Sequence, residues 1–300
     1  MSETAPQNLS ATRGNHAGLM FFRVWFKLFG FGHTVVMVWI ITFFYMLFDR
    51  EARKRTLPYI RHRFPEAGFF ARLYHIWALF AHQGRALLIQ QMFEHGEFDG
   101  EVWCDSAEAE ALRHSETPLV VIYSHFGPWQ ALMGKMEVGK RKVFMLAQAD
   151  ANPNVHKINA VSGGPDMSQV VMVPAGPGCL TALQLGLAEN AAAAVMGDRC
   201  LEDNPVQVDF LGAQAAFPVS GFYLAAKMKC PVVCIFARYE KTKKKYVLEF
   251  GTVMHPEIRG RNREQLVPFV ERYVRRLESL CQEYPHDCFM LSDNWSIGKK

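Results

Sequence analysis

The sequence lacks several motifs that mark common chemistries. None of its seven cysteines stands in a Cys-x-x-Cys pair, so neither a zinc ribbon nor a thioredoxin-like redox centre is indicated. No Gly-x-Ser-x-Gly turn is present, which argues against a serine nucleophile of the α/β-hydrolase kind. Internal repeats and low-complexity tracts are also absent. Most of the cysteines lie inside apolar runs, and we expect them to be reduced core thiols in a protein that faces the cytosol.

The charge balance is mild. The net charge of +4 is not gathered into a basic stripe or tail, so we do not expect nucleic acid as a partner. A weak positive balance does suit a protein that works near anionic lipid. We expect neither a metal nor a cofactor.

The N-terminal part of the chain is rich in apolar and aromatic residues. Residues 1–18 are polar and predicted to be disordered, whereas residues 19–60 contain an apolar run from 31 to 48 and form a predicted membrane-associated segment. The run starts late and lacks a small-residue cleavage site, so a cleaved signal peptide is not indicated. A spanning helix, an interfacial helical hairpin bent at Gly30 and Gly32, and a buried core helix remain as alternatives.

Basic residues follow the apolar run at once. Arg50, Arg53, Lys54 and Arg55 would place the rest of the chain in the cytoplasm, so we expect attachment to the cytoplasmic face of the cell inner membrane. Further basic residues of the body are candidates for contact with anionic lipid or with an acidic carrier protein, with ordinary solvated charge as the alternative. They are Arg61, Arg63, Lys140, Arg141 and Lys142.

Residues 61–300 read as a single α/β domain. Two helices are predicted between residues 49 and 98, and from residue 118 onward short β-branched runs alternate with helical stretches. The predicted strands are 119–123, 142–147, 169–173, 192–196, 206–211, 231–237 and 246–254, and the predicted helices are 178–190, 219–228 and 262–283. This alternation indicates a mixed, largely parallel central sheet flanked by helices.

Two polar clusters stand at the carboxyl ends of predicted strands, where α/β sheets collect their functional residues. Ser124 and His125 follow the first of these strands, and Asp198 and Arg199 follow the strand at 192–196. If a helix starts at 127–128, its first turn brings Gln130 back toward His125, and its free N–H groups favour an oxyanion and a neutral imidazole. Gln130 can fix the tautomer through Nδ1–H but brings no charge, so a full negative charge would have to come from Asp198 or another carboxylate.

The stretch His-Phe-Gly-Pro-Trp-Gln at 125–130 resembles the His-x4-Asp/Glu block of the lysophospholipid acyltransferase superfamily, in its branch of late acyltransferases of lipid A synthesis. Further blocks agree in order along residues 19–295: Asn-Pro-Asn-Val at 152–155, Gly-Asp-Arg at 197–199, Phe-Pro-Val-Ser-Gly at 217–221 leading to Pro-Val-Val at 231–233, and Tyr-Pro-His-Asp-Cys-Phe at 284–289. Two positions depart from the pattern, Gln130 for the acid and Cys288 for a usual tryptophan.

The resemblance implies transfer of a fatty acyl chain from an acyl thioester, carried by acyl carrier protein or coenzyme A, to a hydroxyl or amine of a lipid acceptor. His125 would be the general base, assisted by Gln130. Asp198 and Ser124 are candidate substrate contacts, and the guanidinium of Arg199 suits a phosphate, unless it forms a salt bridge with Asp198 or Glu202. Asn152 is a polar substrate contact or a turn residue before Pro153.

Two other functions remain open on the sequence. Because Gln130 replaces the acid, the chain could be an acyltransferase-like protein that binds acyl carrier protein or lipid without turnover. A hydrolase, with water in place of the acceptor, is the third possibility. A Ser124–His125 nucleophile pair is not expected, since neighbouring residues of an extended chain point to opposite faces.

Overall fold

The structure is a computed structural model that describes residues 16–94, 100–133, 141–147, 169–200 and 205–297. Its central element is a seven-stranded sheet in the order β1-β9-β8-β2-β5-β3-β4. The strands are β1 Gly100–Cys104, β2 Leu119–Tyr123, β3 Val143–Ala147, β4 Val170–Pro174, β5 Ala192–Met196, β8 Val232–Glu240 and β9 Lys245–Met254. Neighbouring strands are parallel except for the β8–β9 hairpin, and the separate pair β6 Val206–Phe210 and β7 Ala213–Phe217 is antiparallel. The predicted mixed, largely parallel sheet is confirmed.

Helices surround this sheet. They are α1 His16–Phe48, α2 Arg50–Arg63, α3 Phe69–Glu94, α4 Ala107–His114, α5 Trp129–Met133, α6 Cys179–Ala188, α7 Ser220–Met228 and α8 Val267–Glu283, the last preceded by a 3-10 turn at Arg263–Leu266. The predicted α/β class with an N-terminal apolar helix is confirmed. Helix α2 crosses the expected boundary between residues 60 and 61, and the expected tail at 1–18 falls largely outside the described residues.

Strand β2 is the central strand, and all five of its residues are buried. Its side chains alternate between two apolar clusters, as the two-residue period of a strand requires. Val120 and Ile122 join the cluster that contains the buried faces of α6, α7 and α8, whereas Val121 and Tyr123 join the cluster under α4 and α5. Burial on both faces explains why this strand is a continuous apolar run in the sequence.

The apolar helix α1 is bent and packs along α3. The bend lies at Gly30, whose backbone has φ 74° and ψ 179°. The helical-hairpin alternative named this position together with Gly32. Beyond the bend, the Trp39 and Trp77 rings meet edge to face at 5.0 Å, and Trp77 Nε1 donates to the Trp39 carbonyl at 2.9 Å. Val38 lies against Gly84, where a Cβ would come within 2.6 Å of it. The second half of α1 is therefore joined to the body by α3.

Glu249 lies in a buried ion network that joins β8, β9 and α8. Its carboxylate is 2% exposed and accepts from Arg238 Nε at 2.9 Å and from Arg276 Nε at 2.7 Å. The network ties α8 to the sheet, and α8 in turn supports the loops described below.

We expect Glu249→Gln to lower the free energy of unfolding by about 1–3 kcal/mol, because Arg276 loses its carboxylate partner and Arg238 keeps Glu240 alone. Denaturant unfolding of the detergent-purified protein measures this. Glu283→Gln is the matched control, since Glu283 forms an exposed pair with Lys241, and it should cost less than about 1 kcal/mol. Equal losses in the two variants would contradict the prediction.

Candidate active site

The register of two neighbouring strands brings His125 and Asp198 together. Strands β2 and β5 are parallel with Tyr123 opposite Met196, and the Gly197 N–H donates to the Tyr123 carbonyl at 2.8 Å. His125 stands two residues beyond the end of β2, and Asp198 stands two residues beyond the end of β5. Equal offsets from an in-register pair put the two residues side by side at the carboxyl edge of the sheet.

The carboxylate of Asp198 holds His125 through both its ring and its backbone. Imidazole Nδ1 lies 3.0 Å from Oδ2 and 3.2 Å from Oδ1, and the His125 N–H donates to Oδ2 at 2.9 Å. The Asp198 side chain is 2% exposed, whereas that of His125 is 12% exposed. With Nδ1–H donating to the carboxylate, Nε2 carries the free lone pair, a tautomer that follows from the hydrogen-bond partners.

The surroundings favour a neutral imidazole beside an ionised carboxyl. Burial lowers the pKa of His125 below its usual value; the Asp198 charge partly offsets this, and Arg199 adds to the lowering. Burial alone would raise the pKa of Asp198, but the charge and hydrogen bonds of His125, together with Arg199, hold it below its usual value. At neutral pH the pair therefore consists of a proton acceptor and a fixed negative charge.

Tyr273 of α8 fills the space below this pair. Its hydroxyl lies 2.7 Å from Ser124 Oγ, and both groups are buried. Gly197 is required here, because a Cβ at this position would come within 2.5 Å of Ile122 and 2.7 Å of the Tyr273 ring. The Gly-Asp turn after β5 thus passes directly over the tyrosine.

A C-terminal segment, residues 284–295, holds both loops and is called the C-terminal strap below. The Gly127 N–H donates to the Asp287 carbonyl at 2.8 Å, and the Phe289 N–H donates to the His125 carbonyl at 2.8 Å. Farther along, Asn294 Nδ2 donates to the Asp198 carbonyl at 2.9 Å. Hydrogen bonds between this one segment and the backbone of both loops therefore fix the histidine loop and the aspartate loop relative to each other.

Gly127 is confined between the strap and β8. Its φ is +56°, a value that favours glycine, and a Cβ there would lie 2.3 Å from the Ala237 carbonyl oxygen. A side chain at this position would push the histidine loop away from the sheet.

The hydrogen-bond partner of the His125 imidazole is not the one that the sequence predicted, Gln130. Gln130 lies in α5 and is exposed, while Nδ1 contacts Asp198. Asp198, expected as a substrate contact, is instead buried against His125. The sequence spacing pointed to a local partner, but the partner comes from the neighbouring strand.

The structure also differs from two other expectations for the histidine loop, which concern Ser124 and the backbone N–H groups. Ser124, expected as a substrate contact, is 1% exposed, and its hydroxyl contacts Tyr273. The N–H groups of 125, 126 and 127 are bonded to Asp198, to the Ser124 carbonyl and to the Asp287 carbonyl. They are therefore not free to stabilise an oxyanion, and α5 begins only at Trp129.

The remaining predicted residues lie in different places. Arg199 is half-buried, and its charge contributes to the pKa shifts of His125 and Asp198; burial lowers its own pKa. Asn152 and Lys140 lie outside the described residues. Arg63 and Arg141, expected to face lipid or a carrier protein, are used internally: Arg63 donates to the carbonyls of 281 and 282, and Arg141 is 4% exposed and donates to carbonyls at the end of α4.

Tyr273, Asp287 and Asn294 are site-supporting residues that sequence reasoning missed. Asp287 lies inside the Tyr-Pro-His-Asp-Cys-Phe block, which was noticed by resemblance but given no role. Tyr273 faces the core on an amphipathic helix and gave no separate signal.

Among the residues that the structure describes, no three His, Cys, Asp or Glu side chains are grouped as a metal site. A shallow groove of about 510 Å³ is lined by Leu185 and Ala188 of α6 and by Tyr223 and Met228 of α7. It lies near the ends of these helices that lead into β5 and β8, at the amino edge of the sheet and away from His125.

The known proteins to which this chain is similar are acyltransferases. The sequence model of the family described as bacterial lipid A biosynthesis acyltransferase matches residues 87–296, which include His125, Asp198 and the whole strap. Among solved structures, the chain is similar to the 1-acyl-sn-glycerophosphate (LPA) acyltransferase PlsC from Thermotoga maritima, with 16% identity and a TM-score of 0.39 over 76% of this chain and 96% of that chain. A comparison with curated proteins gave no match. The family match extends over more than half of the chain, and the protein therefore belongs to the bacterial lipid A biosynthesis acyltransferase family and is an acyltransferase.

Proposed function

We propose that the protein transfers a fatty acyl chain from a thioester donor to a hydroxyl or amine of a lipid acceptor, and that His125 is the general base of this reaction. The observation that carries the proposal is the contact of Nδ1 with the buried Asp198 carboxylate, which leaves Nε2 as the proton acceptor. Membership of an acyltransferase family supports acyl transfer itself; the assignment of the base rests on the geometry.

In the first step the acceptor oxygen or nitrogen attacks the thioester carbonyl carbon, and its proton passes to Nε2 of His125. The ring becomes imidazolium, which the Asp198 carboxylate stabilises across Nδ1–H. The carbonyl carbon becomes tetrahedral and its oxygen carries the negative charge.

In the second step the tetrahedral intermediate collapses. The carbon–sulfur bond breaks, the acyl group remains on the acceptor as an ester or amide, and the sulfur takes the proton back from His125. The base is regenerated and no acyl-enzyme forms. A buried Ser124, bonded to Tyr273, agrees with the absence of a covalent intermediate.

Arg199 is the candidate for the anionic part of a substrate. It lies near the His125–Asp198 pair, and a planar guanidinium pairs with two phosphoryl oxygens at once. The phosphodiester of a phosphopantetheine, present in both acyl carrier protein and coenzyme A, would meet this requirement. We propose acyl carrier protein or coenzyme A as the donor on this chemistry.

The missing acid at position 130 was the reason to consider a protein that binds without turnover. Asp198 can supply the negative charge that Gln130 lacks, so the geometry favours a competent enzyme. Gln130, exposed on α5, has no essential part in this proposal.

We further propose that α1 and the start of α3 attach the protein to one leaflet, on the cytoplasmic face of the inner membrane. Residues 24–48 of α1 are long and apolar enough to cross a bilayer, yet the second half of the helix packs along α3. The two helices run antiparallel there, because Val38 contacts Gly84 while Phe43 contacts Trp77. A helix tied to the body in this way is suited to lie in the interface with its outer face in lipid.

The exposed apolar residues of the two helices support this arrangement. They include Val36, Ile40, Ile41, Phe43, Phe44, Leu47 and Phe48 on α1, and Phe69, Phe70 and Tyr74 on α3. Exposed cations stand beside them at Arg50, Lys54 and Arg61, where they can contact anionic headgroups. An acceptor that diffuses in the same leaflet would then reach a site held at the membrane surface.

We expect His125→Ala and Asp198→Asn each to lower kcat by on the order of 10²–10⁴-fold, because the first removes the base and the second removes the charge that stabilises its protonated form. The assay follows labelled acyl chains from loaded acyl carrier protein or coenzyme A into membrane lipid extract. The matched control is His255→Ala, which breaks an exposed His–Glu pair with Glu108 of 2.7 Å and should leave kcat unchanged. Full activity of His125→Ala would overturn the proposal, and label released as free fatty acid would indicate hydrolysis.

The pH profile provides a separate test of the pair. Because His125 must be neutral to accept a proton and its pKa is lowered, kcat/KM of the wild type should fall only below the usual histidine pKa. Asp198 raises the pKa of His125, so residual activity of Asp198→Asn should persist to still lower pH. A shift of the acid limb to higher pH in this variant would contradict the assignment.

Gln130→Ala should keep nearly the full kcat, and Gln130→Glu should keep or raise it, since the imidazole already has its carboxylate. The same transfer assay measures both variants, and Asp198→Asn serves as the inactive reference. A loss in Gln130→Ala as large as that in Asp198→Asn would show that the amide has a role of its own.

A single-leaflet attachment predicts that both ends of the chain stay on the cytoplasmic side. Protease-sensitive tags at the N-terminus and the C-terminus should both resist protease in intact spheroplasts and both be cleaved in inverted vesicles. The C-terminal tag is the internal control. Cleavage of the N-terminal tag in spheroplasts would instead identify α1 as a spanning helix.

A further inference from the structure

A second histidine–carboxylate pair lies on the path between the apolar helices and the histidine loop. His82 of α3 and Asp287 of the C-terminal strap are 2.7 Å apart, measured from Nδ1 to Oδ1. The side chains are 26% and 15% exposed, so the pair is only partly screened by solvent. The mechanism above does not use it.

The carbonyl of Asp287 reaches the histidine loop. It accepts from the Gly127 N–H at 2.8 Å, two residues from the proposed base. One position later, Cys288 pairs with Phe126 in an isolated antiparallel bridge, and the Phe289 N–H donates to the His125 carbonyl. The strap is thus a short added strand along the loop, and Asp287 begins it.

Helices α2 and α3 contact the beginning of the strap, on the side opposite the histidine loop. On α2, Tyr59 donates from its hydroxyl to the Pro285 carbonyl at 2.7 Å. On α3, His75 Nδ1 lies 3.0 Å from His286 Nε2, and burial first, then the charges of His82 and His75, lowers the pKa of His286 to about 4. His286 is therefore neutral at pH 7. The His82–Asp287 contact of 2.7 Å is shorter than the His75–His286 contact, and it places a carboxylate of the strap against α3.

We propose that the His82–Asp287 pair is a positioning pair that sets where His125 stands relative to an acceptor bound at the membrane face. The pair acts through the Asp287 carbonyl on Gly127. The Ala237 carbonyl blocks Gly127 on the β8 side, so the histidine loop can shift only in the direction of the strap and together with it. His82 also meets Trp39 of α1 edge to face at 6.2 Å. One contact thus connects the apolar helix pair, the strap and the base. The proposal rests on the assignment of His125 as the base.

His82→Ala removes the donor to Asp287 and should let the histidine loop shift and take up water. We expect kcat to fall about tenfold with little change in KM for the thioester donor, since small displacements of a catalytic group cost one to two orders of magnitude in rate. Hydration of His125 reverses the burial that lowers its pKa, so the acid limb of kcat/KM should move to higher pH. His82→Asn puts an amide N–H where Nδ1 stood and should restore most of the rate and the pH profile.

His255→Ala is the matched control, because it breaks a surface His–Glu pair of the same 2.7 Å length, and it should change neither kcat nor the acid limb. The melting temperature of each variant separates misplacement from unfolding. Unchanged kcat and an unchanged acid limb in a folded His82→Ala would overturn the proposal. So would a loss of rate that follows the loss of stability and is not restored by asparagine.

The two proposals fail in different ways. If His125→Ala is fully active, the base is wrongly assigned and the positioning proposal falls with it. If His125→Ala is inactive while His82→Ala and His82→Asn both match the wild type, only the positioning proposal is overturned.

Discussion

The buried carboxylate of Asp198 is the group on which the site depends. A carboxylate that is 2% exposed must be compensated, because burial of an unpaired charge is costly. It is compensated by the N–H and Nδ1 of His125, and its loop is held by Asn294 through the backbone carbonyl. The same contacts that satisfy the carboxylate fix the direction and tautomer of the imidazole. Local stability and readiness for proton transfer therefore have one origin.

Parallel strand geometry explains how a carboxylate can serve the histidine without being its sequence neighbour. In an in-register parallel pair, loops that leave adjacent strands start at the same height, and residues at equal offset meet. A carboxylate at position 130, in α5, would approach the imidazole from one side. Asp198, in the loop after β5, approaches it from another side. Gln130 can be polar and uncharged without cost to the imidazole, provided that β2 and β5 keep the register that pairs Tyr123 with Met196.

Much of this architecture could be predicted because its strands are buried on both faces. β2 and β5 are apolar runs with clear ends, and their bounds were predicted to the residue. β1, with the sequence Gly-Glu-Val-Trp-Cys, and the alanine-rich β7 were not predicted, because neither gives a clear strand period. The partner of His125 was uncertain for a different reason. Spacing along the chain reports neighbours within one element, whereas the contact with Asp198 depends on which strands are adjacent in the sheet.

The C-terminal strap shows why the chain needs elements from both of its ends near one histidine. The strands fix the height of His125 above the sheet, but a loop at a strand end can still swing sideways. The strap prevents this movement, because Cys288 pairs with Phe126 and the Phe289 N–H donates to the His125 carbonyl. The strap is itself held by hydrogen bonds to α2 and α3. Both of these helices pack against α1, which carries the exposed apolar surface. The proposed base, held by the same elements that would contact the membrane, would keep a constant distance to an acceptor in that membrane, which a base fixed only by the sheet could not ensure.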